Sequence, residues 1–323
     1  MYKTIMVPTD GSGFDREAIR VALRLAERRE AKIRLVRVLA TGSFFGMAAA
    51  SEGTSVAADV VMGERDAALS ELYALAAECR ANTTADVTID LHTGPVADVL
   101  EGYAKRHEVD LIVISTHGRS GVARLSLGSV TDSLIRHTSI PVLVVKPPAS
   151  YLNPQVGDSF RQILVPLDGS TLAEQILPRV ITFAALEGSD VTLLHILSPQ
   201  LFAPPTEVAA INPAEFDEDF TVAQDYLLRI GKELRRHGIA VRTDIVVSEN
   251  IAEAIADFAG REQADMIAIA THGRGGVARM LRGSVADAVM HRAKKSMLVL
   301  KPEKIAQEEA PSVSGAVAES LAV

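Results

Sequence analysis

Two aspartates, Asp10 and Asp168, each follow a short apolar run that ends in a proline, at Pro8 and Pro166. If these runs are strands of an open α/β sheet, the aspartates lie at the carboxyl edge of the sheet, where such folds bind ligands. A carboxylate there can accept hydrogen bonds from ribose hydroxyls or hold a metal-bound water. The alternative is that each aspartate caps the next helix, and the residues alone leave both roles open.

A second pattern is a glycine followed, after nine residues, by a Gly–Ser pair. It occurs as Gly118 with Gly128–Ser129 and as Gly273 with Gly283–Ser284. Glycines let backbone amides approach an anion, and a Gly–Ser pair that opens a helix offers N–H groups, a hydroxyl and the positive helix end to phosphates. The pattern therefore predicts phosphate binding. Glycines that only permit a tight strand-to-helix turn would explain one copy well, but the repeated serine less well.

Histidines stand beside both copies of this pattern. His117 and His272 occupy the same place in the repeated segments THGRSGVAR at 116–124 and THGRGGVAR at 271–279. An imidazole there could act as a general base, but its repetition also fits a structural hydrogen bond. No residue completes a convincing nucleophile–base pair in the sequence, so no catalytic residue is predicted.

Several protein classes are excluded by missing motifs. The sequence contains no Gly-x4-Gly-Lys-Ser/Thr loop and no Gly-x-Gly-x-x-Gly after its first strand-like run, which argues against P-loop kinases, GTPases and dinucleotide oxidoreductases. The single cysteine, Cys79, cannot form an internal disulfide or a thiolate metal site. We expect it to be a small buried residue of a helix.

The composition is that of an acidic globular protein. In 323 residues, 33 Lys and Arg stand against 41 Asp and Glu, which gives a formal net charge of −8, and there is no Trp. This charge opposes non-specific binding to nucleic acid, and few aromatic side chains are present to stack on bases. The sequence shows neither a signal-peptide pattern at its start nor a run of about 18 uncharged apolar residues. We expect a cytoplasmic protein that binds neither nucleic acid nor membranes.

A long internal repeat organises the chain. The segment IMVPTDGS at 5–12 returns 158 positions later as ILVPLDGS at 163–170, and the histidine segment returns after 155 positions. Because the spacing changes by only three residues, the sequence predicts two homologous domains of ordinary size. We assign residues 1–148 to the first domain, 149–159 to a linker, 160–302 to the second domain and 303–323 to a tail expected to be disordered.

Within the first copy, strand-like and helical patterns alternate. The predicted strands are 4–8, 33–39, 87–92, 111–115 and 142–145, and the predicted helices are 16–29, 64–79, 96–107 and 130–137. Ser12 and Asp15 suit an N-cap for the first helix. This order predicts a five-stranded parallel, doubly wound, Rossmann-like α/β domain, twice. The stretches 40–61 and 198–216 interrupt the order and are expected to be surface insertions or mobile flaps over a site.

With these motifs, both halves resemble universal stress protein domains over nearly the whole chain outside the linker and tail. ATP-binding members of that family carry Gly-x2-Gly-x9-Gly followed by Ser or Thr. The resemblance implies that Asp10 and Asp168 contact ribose. It also implies that they contact a metal ion indirectly, through water or phosphate. It also implies that Val38 and Ile196 meet adenine through backbone groups, and that the Gly–Ser loops hold the phosphates of ATP, ADP or AMP with Mg²⁺ or Mn²⁺. The nucleotide-contacting residues implied in this way are Pro8, Thr9, Asp10, Val38, Ser115, Gly118, Arg119, Gly128, Ser129 and Val130 in the first half, and Pro166, Leu167, Asp168, Ile196, Ala270, Gly273, Arg274, Gly283, Ser284 and Val285 in the second.

The chain departs from the family pattern at one position in each half. Ser115 and Ala270 replace the first glycine of the motif. Both replacements are small, so the added Cβ is expected to narrow the channel between ribose and phosphate without closing it. The halves also differ beside the last glycine, at Leu127 and Arg282, so their affinities need not match.

Three functions are compatible with these residues. The resemblance implies a stress-response sensor or regulator that binds ATP and hydrolyses it slowly at most. A second hypothesis is a nucleotide-free scaffold or chaperone-like protein. A third is a true ATP-hydrolysing or nucleotidyl-transferring enzyme, for which the sequence offers no convincing base. Domains of the family pair through their last strands, here 142–145 and 297–300. The resemblance therefore implies an intrachain pseudo-dimer that can assemble further into a homo-oligomer.

Overall fold

The computed structural model describes residues 2–28, 30–40, 55–116, 128–146, 159–198, 213–271 and 284–303. The predicted linker and tail lie outside these ranges, apart from residues 159 and 303. The elements of the first half are β1 (Thr4–Pro8), α1 (Arg16–Glu27), β2 (Lys32–Leu39), α2 (Ser55–Ala81), β3 (Val87–Thr93), α3 (Val96–Arg106), β4 (Leu111–Ser115), α4 (Ser129–His137) and β5 (Val142–Val145). Those of the second half are β6 (Gln162–Pro166), α5 (Thr171–Glu174), α6 (Leu177–Glu187), β7 (Asp190–Leu197), α7 (Pro213–Arg236), β8 (Val241–Val247), α8 (Ile251–Arg261), β9 (Met266–Ala270), α9 (Ser284–Arg292) and β10 (Ser296–Leu300).

The strands predicted for the first half are all present, with ends that differ by one residue at most. The long helices are extended beyond the prediction, because α2 begins at Ser55 and α7 at Pro213. The loop prediction is therefore wrong for 55–61 and for 213–216. Residues 55–61 contain two alanines and neither glycine nor proline, so they can extend a helix that forms further along the chain. A proline at the first helical position costs nothing, because its missing N–H would have no intrahelical partner.

The predicted N-cap of α1 is wrong. The capping position is Asp15, whose side chain makes no capping hydrogen bond and instead accepts a hydrogen bond from the Thr9 hydroxyl. The reason is the turn before the helix, where Gly11 and Gly13 on either side of Ser12 both have positive φ, so Ser12 lies outside the first helical turn. The second half differs, because the Ser170 hydroxyl accepts from the Ala173 N–H at 3.1 Å and caps α5.

The ten strands form one sheet in the order β3-β2-β1-β4-β5-β10-β9-β6-β7-β8. Each half is parallel throughout, which confirms the predicted five-stranded fold. The halves join where β5 pairs antiparallel with β10, with Leu143 opposite Leu298. The last strands therefore pair within the chain, as the resemblance implied.

Two apolar clusters cover the two faces of this sheet. Ile5 and Val7 of β1 belong to the cluster that includes Leu25 of α1, whereas Met6 between them belongs to the cluster that includes Leu100 of α3. Burial on both faces explains the nearly continuous apolar strands. Each cluster contains residues of both halves, so the core is continuous across the β5–β10 join.

Cys79 is a free, buried residue of α2, as predicted. Within the described ranges, no helix combines the length and apolarity needed to cross a membrane.

Candidate functional site

The topology brings the two motifs of each half to one edge of the sheet. β1 lies between β2 and β4, and β6 lies between β7 and β9. Ile5 of β1 is in register with Leu111 of β4, and Ile163 of β6 is in register with Met266 of β9. Because these neighbouring strands are parallel, the segments that follow them leave the sheet at the same edge. This is the reversal of strand order at which open α/β sheets bind ligands.

Asp10 shapes a tight turn after β1. Its Oδ1 accepts a hydrogen bond from the Ser12 N–H at 2.8 Å. Gly11 between them has φ of +75°, which glycine adopts without strain. The Thr9 N–H donates to the Val36 carbonyl of β2 at 2.9 Å. The turn is thus fastened to the sheet and holds a half-buried Asp10 at the edge.

Asp168 shapes the equivalent turn after β6. Its Oδ1 accepts from both the N–H and the hydroxyl of Ser170, at 3.0 and 2.7 Å. The Leu167 N–H donates to the Leu194 carbonyl of β7 at 2.9 Å, as Thr9 does in the first half. The aspartates therefore hold turns, and helix capping by the aspartate itself describes neither half.

The ends of the first glycine-rich loop are tied together. The Gly128 N–H donates to the Thr116 carbonyl at 3.2 Å, and the Thr131 hydroxyl donates to the Ser115 carbonyl at 3.3 Å. Ser129 is exposed and begins α4, so its hydroxyl and the first N–H groups of the helix lie at the sheet edge. This arrangement can receive an anion.

The second half repeats the outline of this arrangement. Ala270 ends β9 as a buried residue in register with Leu300 of β10, and the Thr271 N–H donates to the Leu300 carbonyl at 2.9 Å. Helix α9 begins at Ser284, and Val285 packs against the apolar core, as Val130 does in the first half. Ser115 and Ala270, which replace the first motif glycine, thus each form the last residue of their strand.

The rest of both motifs falls outside the described ranges. This applies to His117, Gly118, Arg119, His272, Gly273, Arg274 and Gly283. Their predicted roles stay predictions.

The predicted adenine contacts lie at the carboxyl ends of the second strands. Val38 of β2 is partly buried and in register with His92 of β3. Ile196 of β7 is partly buried and in register with Val246 of β8. Both lie one strand away from the aspartate turn of their half, on the same edge of the sheet.

The described residues contain no group of three or more His, Cys, Asp or Glu side chains arranged to hold a metal ion. The predicted metal contact of Asp10 and Asp168, through water or phosphate, stays a prediction.

The comparisons with known proteins agree with this architecture. The model of the universal stress protein family matches residues 1–146 and 159–301. The chain belongs to the universal stress protein family. It contains two universal stress protein domains in tandem, which confirms the resemblance and the duplication.

Individual universal stress proteins match one domain or both. A universal stress protein of Methanocaldococcus jannaschii is 32% identical over 149 residues, covering 46% of this chain and 84% of that protein. One of Mycolicibacterium smegmatis is 26% identical over 304 residues, covering 92% of this chain and 97% of its own length. The crystal structure of a universal stress protein from Archaeoglobus fulgidus superimposes with a TM-score of 0.65 at 19% identity, over 92% of this chain and 98% of that chain, which shows the shared fold.

One buried charge at the first universal stress protein domain was missed by the sequence analysis. Arg37 of β2 is buried behind the Asp10 turn and contacts Glu71 of α2. The only signal in the sequence is an arginine inside the apolar run LVRVL at 35–39. Its partner lies 34 residues further along, so the pairing depends on the tertiary fold.

Proposed function

We propose that the protein is a stress-response sensor or regulator in which each domain binds ATP or a related adenine nucleotide. The observation that supports this most is the repeated carboxylate turn. Asp10 and Asp168 accept the same backbone hydrogen bond after equivalent strands. The glycine-rich motif of each half leaves the same edge of the sheet. A turn kept in both halves, although their sequences differ around it, favours a shared ligand.

In this proposal, each part of the site meets one part of the nucleotide. The aspartates accept hydrogen bonds from the ribose hydroxyls, and backbone groups of Val38 and Ile196 meet adenine. The starts of α4 and α9, with Ser129 and Ser284, receive the phosphates together with Mg²⁺ or Mn²⁺, because helix N-termini favour anions. The metal would supply positive charge against the phosphates.

We propose binding without rapid turnover. The Asp10 and Asp168 carboxylates are hydrogen-bonded within their own turns. That arrangement suits holding a ligand better than moving a proton, since a general base must be able to take up the proton it abstracts. ATP hydrolysis is therefore expected to be slow at most.

A second candidate function, a nucleotide-free scaffold or chaperone-like protein, is favoured by exposed apolar side chains. Met62 and Tyr73 of α2 are 66% and 58% exposed, and Val222 of α7 is 61% exposed. These helices are equivalent in the two halves, so each half presents apolar surface from the same element. Ser115 and Ala270 in place of the family glycine would fit a site that has lost its ligand.

One experiment separates the two functions. Freshly purified protein is denatured, and any released nucleotide is identified by chromatography and mass. We expect near-stoichiometric ATP or AMP from the unaltered chain, partial loss from Gly128→Glu and from Gly283→Glu, and complete loss from the double variant. Gly260→Glu is the matched control, because Gly260 lies on α8 with no atom within 4 Å of an added Cβ.

A smaller change tests close approach by the phosphates. An added Cβ at Gly128 would lie 3.4 Å from the Thr116 carbonyl oxygen, an ordinary contact, so Gly128→Ala is expected to fold normally. Weaker binding of Mg-ATP by this variant in calorimetry would support the site. Release of no nucleotide, followed by no binding of added Mg-ATP to the unaltered chain, would favour the scaffold.

We further propose that the protein acts in the cytoplasm.

The β5–β10 pairing joins the two halves as an intrachain pseudo-dimer. We propose that two or more such chains assemble into a homo-oligomer, which light scattering on the purified chain would detect.

A further inference from the structure

An ion pair between a buried arginine and a half-exposed glutamate lies directly behind the turn that holds Asp10. The Arg37 side chain is 6% exposed, and its Nη1 is 2.5 Å from Glu71 Oε2. A Cβ placed on Gly11 would lie 2.9 Å from Glu71 Oε2 and 3.0 Å from Arg37 Nη1. The pair therefore packs against the backbone of the turn itself, and it joins β2, α2 and the turn at one point.

The second half has a different pair in the same two positions. His195 lies 158 positions after Arg37 and Tyr226 lies 155 positions after Glu71, the same offsets that relate the two copies of the repeat. The two rings are 6.3 Å apart and nearly perpendicular. His195 lies on β7, the strand next to β6, and the Asp168 turn follows β6. Burial, and after it the carboxylates of Glu174 and Asp168, raise the pKa of the Tyr226 hydroxyl. Both partners therefore differ between the halves, with an ion pair in the first and an aromatic pair in the second.

The two turns also differ in how the aspartate is held. In the second half, Asp168 Oδ1 receives the Ser170 hydroxyl as well as the Ser170 N–H. In the first half, the Ser12 hydroxyl oxygen instead accepts from the Phe14 N–H at 3.4 Å. The serine hydroxyl of the first turn thus contacts the backbone, and the Arg37–Glu71 pair lies behind that turn.

We propose that Arg37, held by Glu71, is a positioning residue for Asp10 and sets the strength with which the first half binds the ribose of its nucleotide. This rests on the proposed function. The guanidinium is always charged and its side chain is buried, so it needs Glu71 as its counter-charge. The pair packs against the backbone at Gly11, and this support keeps the neighbouring carboxylate in the orientation that ribose hydroxyls require. A hydrogen bond to a charged group is lost when that orientation is lost.

The test uses a chain with one working site. Gly283→Glu is introduced to silence the second half, and Arg37→Met and Glu71→Gln are added to it separately. Dissociation constants are measured by calorimetry for Mg-ATP and for Mg-2′,3′-dideoxy-ATP, which lacks the hydroxyls that Asp10 would bind. We expect each added variant to weaken ATP binding about tenfold and to leave dideoxy-ATP binding unchanged.

Three controls keep the result specific. Arg34→Met changes the same residue type on the same strand, but Arg34 contacts Tyr103 of α3 on the other face of the sheet, so no change in binding is expected. Arg37→Lys keeps the charge beside Glu71 and is expected to retain most of the ATP affinity. If Arg37→Met does not fold, the double variant Arg37→His with Glu71→Tyr installs the packed pair of the second half, and the loss specific to ATP is expected there instead.

Each outcome decides the proposal. Equal losses for ATP and dideoxy-ATP, or no loss for ATP, would overturn the positioning role while the proposed function stands. If the Gly283→Glu parent and the unaltered chain both fail to bind ATP, the proposed function fails, and this inference fails with it.

Discussion

At the scale of single residues, the turn after β1 needs Gly11 for two separate reasons. Its φ of +75° is a conformation that residues with a Cβ rarely adopt. Its missing Cβ also leaves the space that the Arg37–Glu71 pair occupies. Gly13, two residues further on, has φ of +78° but no atom within 4 Å of an added Cβ. Both glycines therefore meet a need for positive φ, but only Gly11 also meets a need for space beside the ion pair.

We predict that Gly11→Ala is more destabilising than Gly13→Ala. Gly13→Ala should lower the free energy of unfolding by about 1 kcal/mol, the cost of left-handed backbone for a residue with a Cβ. Gly11→Ala should cost about 1 kcal/mol more, because the new methyl group must displace the ion pair. Urea denaturation of both variants measures the difference. Equal losses of unfolding free energy would show that the Arg37–Glu71 pair moves aside at no measurable cost.

At the scale of secondary-structure elements, the outer strands of the sheet are protected in the same way in both halves. Arg80 of α2 donates to the carbonyl of Val87, the first residue of β3, at 3.1 and 2.6 Å. Arg235 of α7 donates to the carbonyl of Val241, the first residue of β8, at 2.8 Å. An arginine of each long helix thus satisfies one backbone carbonyl of an outer strand that, in the described part of the chain, has no neighbouring strand on that side. Covering such edges reduces edge-to-edge aggregation.

Another element-scale contact joins the halves at a helix end. Lys146, directly after β5, donates from Nζ to the carbonyls of Met290 and Ala293 at the end of α9, the former at 3.0 Å. Its backbone N–H donates to the Ser296 hydroxyl at the start of β10. Burial lowers the pKa of the Lys146 ammonium, but the carbonyls at a helix C-terminus favour a cation there. Lys146 of the first half therefore contacts the end of α9, and the start of α9 at Ser284 is part of the glycine-rich motif of the second half.

We predict that Lys146→Met lowers the free energy of unfolding by about 2 kcal/mol, because two helix-end carbonyls lose a charged donor. Lys105→Met is the control, since Lys105 is 65% exposed and pairs with Glu101 on the surface of α3. That surface pair should contribute about 0.5 kcal/mol at most. Thermal or urea unfolding would measure both. A Lys146→Met variant as stable as the control would contradict the predicted contribution.

At the scale of the whole molecule, a buried carboxylate links the two halves. Glu187 at the end of α6 is fully buried. Its carboxylate is 3.4 Å from Arg24 of α1 and 3.9 Å from Arg28, which directly follows α1. Its Oε2 also accepts from the Phe160 N–H at 3.4 Å. A buried charge requires its counter-charges. The second half therefore depends on the first for more than the β5–β10 pairing.

We predict that Glu187→Gln lowers the free energy of unfolding by about 3 kcal/mol, because it removes the buried counter-charge of the α1 arginines. Glu78→Gln is the matched control, because Glu78 and Arg16 form an exposed pair at 3.1 Å, which should contribute less than about 1 kcal/mol. Urea unfolding followed by circular dichroism compares them. If both variants lose the same small amount, the halves are held together by the sheet and the apolar core.

Local patterns predicted much of the fold and the positions of the motifs. Hydrophobic periodicity along the chain predicted the apolar strands and the helix that contains Cys79. The positions of the two aspartates followed, because each comes directly after a predicted strand. The N-cap at Ser12 was wrong because two glycines with positive φ redirect the chain before α1. The pairing of Arg37 with Glu71 was missed, since no local pattern specifies which helix packs over which strand.

By itself, the sequence determined the duplication, the alternating strands and helices, and the repeated aspartate and glycine motifs, because these depend on periodicity and on short spacing along the chain. Only the tertiary structure decided that β5 and β10 join the halves into one sheet, that Lys146 and Glu187 cross between the halves, and that different pairs support the two aspartate turns. The physical reason is that such contacts join residues far apart in the chain, and their stability comes from burial and packing that exist only once the layers have assembled.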